Sequence, residues 1–187
     1  MERFLTRLRV LQNERDTNIA LLLNPRMTAL PLPIQRYDDP FLPYCRAVVE
    51  ATSDLVCAYV LDFASFMALS APGARSLERI IGIIGQDTLK ILHGPFVGTA
   101  FSPMLERTAF DVDAVTLYRA EDVPYYCSNA PYAAFQADTG ISGQTVSFTP
   151  DLALHVTDDG VLLAGLGDDF AEQIRAALIT MRSLHAE

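Results

Sequence analysis

Basic residues are scarce in this 187-residue chain, 14 against 23 acidic ones, and only one of them, Lys90, is a lysine. The formal charge of -9 and a pI near 4.7 repel phosphate backbones at long range and so argue against nucleic acid as a partner. Cysteine is also sparse. Cys45, Cys57 and Cys127 are odd in number and include no CxxC pair and no nearby histidine pair, which argues against a disulfide framework and against a structural zinc site. The expectation is a reducing, cytoplasmic compartment with no metal and no cofactor. No apolar run is long enough to cross a bilayer. Leu55 to Ala71 is the longest, and Asp62 interrupts it, so no membrane association is expected. The opening MERFLTRLRVLQNERD is charged every few residues and lacks the apolar core of a secretory signal.

Half of the residues are hydrophobic, and no repeat, charge block or low-complexity run divides them. The expectation is one domain over 1–187, burying roughly 70% of the unfolded chain's surface. Phe4, Leu5, Leu8 and Leu11 share a helical stripe, and Ile19 to Leu23 reads as a buried strand stopped by Asn24 and Pro25. Pro31, Pro33, Pro40 and Pro43 keep residues 25 to 43 irregular. Helical spacing from Tyr44 to Thr52 then leads into the strand LVCAYVLDF. A helix over Leu77 to Ile84, the strand TLKILHG, a helix through Met104 to Phe110 and the strand AVTLY repeat the order. Strands apolar on both faces that alternate with helices predict a parallel sheet covered by helices. Residues 119 to 150 break the rhythm, with short strands expected at Tyr125 to Cys127 and Val146 to Phe148. VLLAGLG reads as the last strand and FAEQIRAALITMRSL as the closing helix.

Several strings, in order, resemble orotidine 5'-phosphate decarboxylase, in particular its longer bacterial subfamily. ERFLTRLRVLQNERDTNIALLLNPRMTALP is similar to the opening helix and first strand, with Asn24 where the family has an aspartate. RAVVEATSDLVCAYVLDFASFMALSAPGARSLERII resembles the helix, second strand and following helix, with Val60 in place of a lysine. TLKILHGPFVGTAF falls on the family's signature, where an aspartate, a lysine and a second aspartate correspond to His93, Pro95 and Gly98. DVDAVTLY resembles the fourth strand. YYCSNAPYAAFQ resembles the base-recognition loop, keeping Ser128 and Asn129, and TGISGQ resembles the phosphate turn, keeping Gly140 and Gln144. GVLLAGLGDDFAEQIRAALITMRS resembles the last strand and helix, with Gly167 in place of the phosphate-gripping arginine.

The resemblance implies an α/β fold derived from the (β/α)8, or TIM, barrel. Such barrels run to about 250 residues, so a shortened, incomplete or remodelled barrel is expected, with a strand-helix unit missing between Tyr118 and Thr139. It also implies a dimer with sites at the interface, for which Thr99 to Phe110 and the tyrosines 118, 125, 126 and 132 are candidates. The family's chemistry uses two lysines held among aspartates to stabilise and protonate a carbanion. Lys90 precedes the signature inside its strand, and its expected role is a strand residue reaching out at a sheet edge.

No catalytic residue is therefore expected, His93 being the weak candidate for a new acid or base against its reading as a hydrogen-bonded turn residue. Asn24, Ser128, Asn129, Gly140 and Gln144 are the candidates for binding a pyrimidine nucleotide, and residues of these types equally cap turns. Asp62 is either a ligand group or an ion-pair partner. The function expected is that of a pseudoenzyme acting as an interaction or regulatory subunit, in a homo-oligomer or with another protein. The alternatives are a residual pyrimidine-nucleotide lyase and a nucleotide-binding sensor.

Overall fold

The first helix, α1 (Glu2–Arg15), forms where Phe4, Leu8 and Leu11 recur on one stripe, and all three are buried. It ends at Asp16, which adopts the left-handed conformation (φ 48°) and returns its amide to Gln12 O. The chain then enters β1 (Ile19–Leu23), buried on both faces. The computed structural model describes residues 1–105, 110–127, 132–137 and 140–185. After β1 come α2 (Phe41–Thr52), β2 (Ala58–Asp62), α3 (Phe63–Met67), α4 (Ser70–Ile83), β3 (Leu89–Phe96) and β4 (Ala114–Leu117). α5 (Val123–Cys127), β5 (Ala133–Gln136), β6 (Thr145–Thr149), β7 (Leu152–Val156), α6 (Gly160–Leu163) and α7 (Phe170–His185) complete the fold.

Seven strands form one sheet in the order β5-β4-β3-β2-β1-β7-β6. All neighbours are parallel except β6, which pairs antiparallel with β7. Alternation divides the strand residues between two faces. Ile19, Leu21, Leu23, Tyr59, Leu61, Leu92, Val115 and Leu117 pack beneath helices α2, α4 and α7. Ala20, Leu22, Val60, Leu89, Ile91 and Ala114 pack on the other face with Phe4, Leu8 and Leu11 of α1. The sheet curls so that its two edges meet through side chains. Phe135 of β5 and Phe148 of β6 lie edge to face at 5.0 Å, with Phe4 of α1 5.6 Å from Phe148. Each such aromatic pair is worth about 0.5 to 1.5 kcal/mol beyond its buried area. The result is the remodelled barrel that the chain length anticipates, closed by rings where a further strand would supply hydrogen bonds.

α1 seals the end at which the parallel strands begin. Arg15 donates to Val56 O, to Thr88 Oγ1 at 2.9 Å and to Asp87 O at 2.6 Å, all in segments leading into β2 and β3. Arg7 pairs with Asp113 just before β4, and Gln12 donates to Ala153 O at 2.6 Å. Among the described residues no helix is long and apolar enough to cross a membrane.

The structure corrects several sequence expectations. VLLAGLG is not the last strand: Gly160–Leu163 is the short helix α6, and a turn follows in which a Cβ on Gly165 would lie 2.5 Å from the Phe170 backbone. The strand is LALHV, whose alternating burial fits a sheet with one solvent-facing side. Tyr125 to Cys127 is helical within α5, because Val123 to Cys127 continues a helical turn begun at Ala120. A 3-10 turn covers Ser102–Leu105, and most of the stretch expected to be helical from Met104 to Phe110, residues 106–109, lies outside the described residues. Lys90 does not reach a sheet edge. β3 has a strand on each side, and alternation sets Lys90 on the face of Leu92 under the helices, 4% exposed. Cys57 is a core residue whose thiol burial pushes up to about 12.

Candidate functional site

The C-terminal ends of the parallel strands converge at the end of the barrel opposite α1, where barrel enzymes place their chemistry. Asn24 directly follows β1 and is 8% exposed. Its Nδ2 donates to Asp159 Oδ1 at 2.9 Å. Ser142 Oγ donates to the same oxygen at 2.8 Å and accepts from the Asp159 amide at 3.1 Å. Arg26 closes the group with an ion pair of 2.9 Å to Asp159 Oδ2. Thr157, fully buried at the end of β7, accepts from the Leu22 amide at 3.0 Å and locks β7 to β1 beneath this cluster. A cleft of about 150 Å³ adjoins it, lined by Asn24, Arg26, Leu30, Tyr44, Asp159 and Leu162 among others. Burial, with a smaller contribution from Cys45, raises the Tyr44 phenol above its ordinary range, so it stays protonated and donates to Leu162 O at 3.2 Å.

His93 lies at the same end on the inner face of β3. It is 5% exposed, and its Nδ1 shares a hydrogen bond of 2.8 Å with Thr116 Oγ1 on β4. The Gly94 amide donates to the same hydroxyl at 3.2 Å. Val60 on β2, opposite Ile91 and so two residues before the level of His93, is buried and apolar. The Asp62 carboxylate caps α3, accepting from the Ala64 amide at 3.1 Å and Ser65 Oγ at 2.8 Å. Gly98 adopts φ 65° and donates its amide to the buried Asp122 carboxylate at 2.8 Å. The lone lysine is on the opposite face of the sheet from His93. The end therefore has no ammonium group among the described residues.

The structure brings Asn24 and the turn containing Gly140 and Gln144 to one place. Gln144 is exposed, its carbonyl accepting from the Val156 amide at 2.9 Å, and Gly140 is exposed with open space around it. Ser128 and Asn129 lie outside the described residues. Sequence reasoning missed Arg26, Ser142, Thr116 and Asp159. Asp159 follows a strand that the hydrophobic pattern misplaces, and its partners are too remote in sequence to be paired by inspection.

The tyrosines divide. Tyr126 and Tyr132 are core residues, and Tyr118 and Tyr125 are 50% and 61% exposed. With Val97, Phe101, Leu163 and Leu166 they give the strand-end face a set of exposed apolar side chains. No group of three or more potential metal ligands exists among the described residues.

No family model matches the chain. Individual relatives do. It is 35% identical over 147 residues to orotidine 5'-phosphate decarboxylase of Azoarcus sp. (strain BH72), covering 74% of this chain and 52% of that protein. The corresponding enzyme of Herpetosiphon aurantiacus is 31% identical over 120 residues, covering 61% and 44%. The chain belongs to the orotidine 5'-phosphate decarboxylase family. It spans about half the length of these relatives. Solved structures agree on the fold. The Plasmodium berghei orotidine 5'-monophosphate decarboxylase superposes with a TM-score of 0.59 at 13% identity, covering 97% of this chain and 74% of that one. A Toxoplasma gondii structure assigned to the same activity gives 0.63 at 21% identity, covering 77% and 53%.

Proposed function

We propose that this chain is a non-catalytic member of the decarboxylase family that works in the cytoplasm as an interaction or regulatory subunit. The observation carrying this reading is the position of Lys90. Decarboxylation of an orotate ring leaves a carbanion at carbon 6, and the enzyme must present a proton donor and fixed positive charge where that charge develops. The only lysine of the chain is buried on the helix side of β3, and the strand ends present Asn24, His93 and Gly98, with Val60 buried within β2. Loss of even one preorganised donor at such a site commonly costs about 3 to 4 kcal/mol of barrier, or roughly 100- to 1000-fold in rate. Burial also keeps Lys90 from completing a site shared with another subunit.

The partner surface in this reading is the strand-end face carrying Phe101, Tyr118 and Tyr125. The partner is a second copy or a related subunit, since aromatic side chains with polar tips favour contacts of this kind. Incubating the pure chain with orotidine 5'-monophosphate and following the orotate absorbance tests the proposal. No turnover is expected, and turnover that His93→Ala abolishes overturns it. That outcome belongs to the second reading, an enzyme with new chemistry, which the buried His93–Thr116 pair favours. A nucleotide sensor would be stabilised by uridine 5'-monophosphate, by about 2.7 kcal/mol at 100 times the dissociation constant. No thermal shift at millimolar nucleotide eliminates it.

A further inference from the structure

The geometry points to a small-oxyanion site at the strand ends that the protein fills with its own Asp159 carboxylate. Two segments, the one after β1 and the turn before β6, deliver donors to one point. Asn24 Nδ2 and Ser142 Oγ meet Asp159 Oδ1 at 2.9 and 2.8 Å, and an Arg26 nitrogen meets Oδ2 at 2.9 Å. A guanidinium, a carboxamide N–H and a hydroxyl converging on one point are the groups that recognise phosphate or sulfate. An ordinary surface ion pair joins two charges and leaves them hydrated. Here neutral donors turn to the same carboxylate as well, one of them on the buried Asn24. The carboxylate thus stands where a ligand's anionic group would be held.

The site faces solvent. The side chains of Arg26 and Asp159 are 61% and 39% exposed, and the adjoining cleft of about 150 Å³ leaves room for the rest of a small ligand. An incoming phosphate would have to displace Asp159 from three partners and then lie beside it. Two like charges at about 4 Å repel by about 4 kcal/mol at the effective dielectric of a protein surface. The plug therefore makes this end refuse phosphorylated ligands. It does not rest on the pseudoenzyme reading, because a catalytic chain would carry the same carboxylate in the same place.

Titration of inorganic phosphate, by calorimetry and by thermal shift, tests the assignment on the wild-type chain, Asp159→Ala, and Asp159→Ala combined with Arg26→Ala. The expected result is phosphate binding at least about tenfold tighter in Asp159→Ala than in wild type, lost again in the double variant. Asp159→Asn keeps the side chain's size and an acceptor oxygen and serves the same test where the alanine variant fails to fold. A folded Asp159 variant that binds phosphate no better than wild type overturns the proposal. Wild-type binding with a dissociation constant below about 1 mM does so without any substitution. Since the readout is phosphate binding alone, its failure is separate from any outcome of the decarboxylase assay.

Discussion

The two ends of this barrel satisfy their polar groups in different ways. At the end where strands begin, polar side chains of α1 reach across to other elements: Arg15 binds the segments before β2 and β3, Arg7 the residue before β4, and Gln12 the backbone of β7. At the end where strands finish, polar groups serve one another locally. Asn24, Arg26 and Ser142 gather on Asp159, His93 shares a hydrogen bond with Thr116, and Asp62 caps its own helix. Around them lie exposed Phe101, Tyr118 and Tyr125. In barrel proteins the first end supports stability and the second carries chemistry. Here the supporting end is a packed and fully braced cap, and the other end has spent its polar groups on internal contacts.

The comparison makes a ranked set of expectations. Leu8, fully buried beneath the sheet, is the largest: Leu8→Ala should destabilise by about 3 kcal/mol in urea unfolding, with the slope unchanged. A loss under about 1 kcal/mol would mean that α1 is an appendage and not a cap. Arg15→Ala should cost about 2 kcal/mol by leaving buried acceptors unpaired, and Arg15→Lys should not restore it, since one ammonium group cannot span three acceptors. At the other end His93→Ala should cost only about 1 kcal/mol, because the Thr116 hydroxyl keeps the Gly94 amide, and should leave the orotate absorbance assay flat. Tyr125→Ser should leave unfolding within about 0.5 kcal/mol of wild type yet weaken self-association in sedimentation, if the strand-end face is the contact.

The smallest effect is electrostatic. The hydrogen bond from Arg175 is the main cause holding the Asp54 carboxyl below its ordinary range. Its folded value being the lower one, the pair stabilises above about pH 4 and loses that contribution as pH falls through the folded value. The Asp54 side chain is 60% exposed, so Asp54→Asn should remove no more than about 0.5 kcal/mol at neutral pH, and less at pH 3.

Runs such as Ile19 to Leu23 and Ala58 to Leu61 were legible as strands because both of their faces are buried, and a continuous apolar run has no other use at that length. LALHV was not, because it lies next to the edge strand with one side half-exposed, while the more apolar VLLAGLG nearby matched the buried pattern better. Asn24 was legible as a strand-end residue from its place before Pro25. Its partner Asp159 was not, being 135 positions away. Lys90 shows the same limit: its strand could be read, but not whether that strand lies at an edge, since one segment's pattern carries no information about its neighbours.

The sequence by itself determined the alternation of helix and strand, the two-faced burial of the central strands, the acidic surface and the presence of one lysine. These follow from composition and from periodicities of a few residues, which local sterics and burial translate directly into structure. Only the tertiary structure decided that the sheet closes through Phe4, Phe135 and Phe148, that Lys90 lies under the helices, and that Asn24, Arg26 and Ser142 meet on Asp159. Phe4 meets Phe135 and Phe148, and Asn24 and Arg26 meet Asp159, across more than a hundred positions. Such contacts are set by how the curled sheet brings its edges and strand ends together, and no window along the chain contains them.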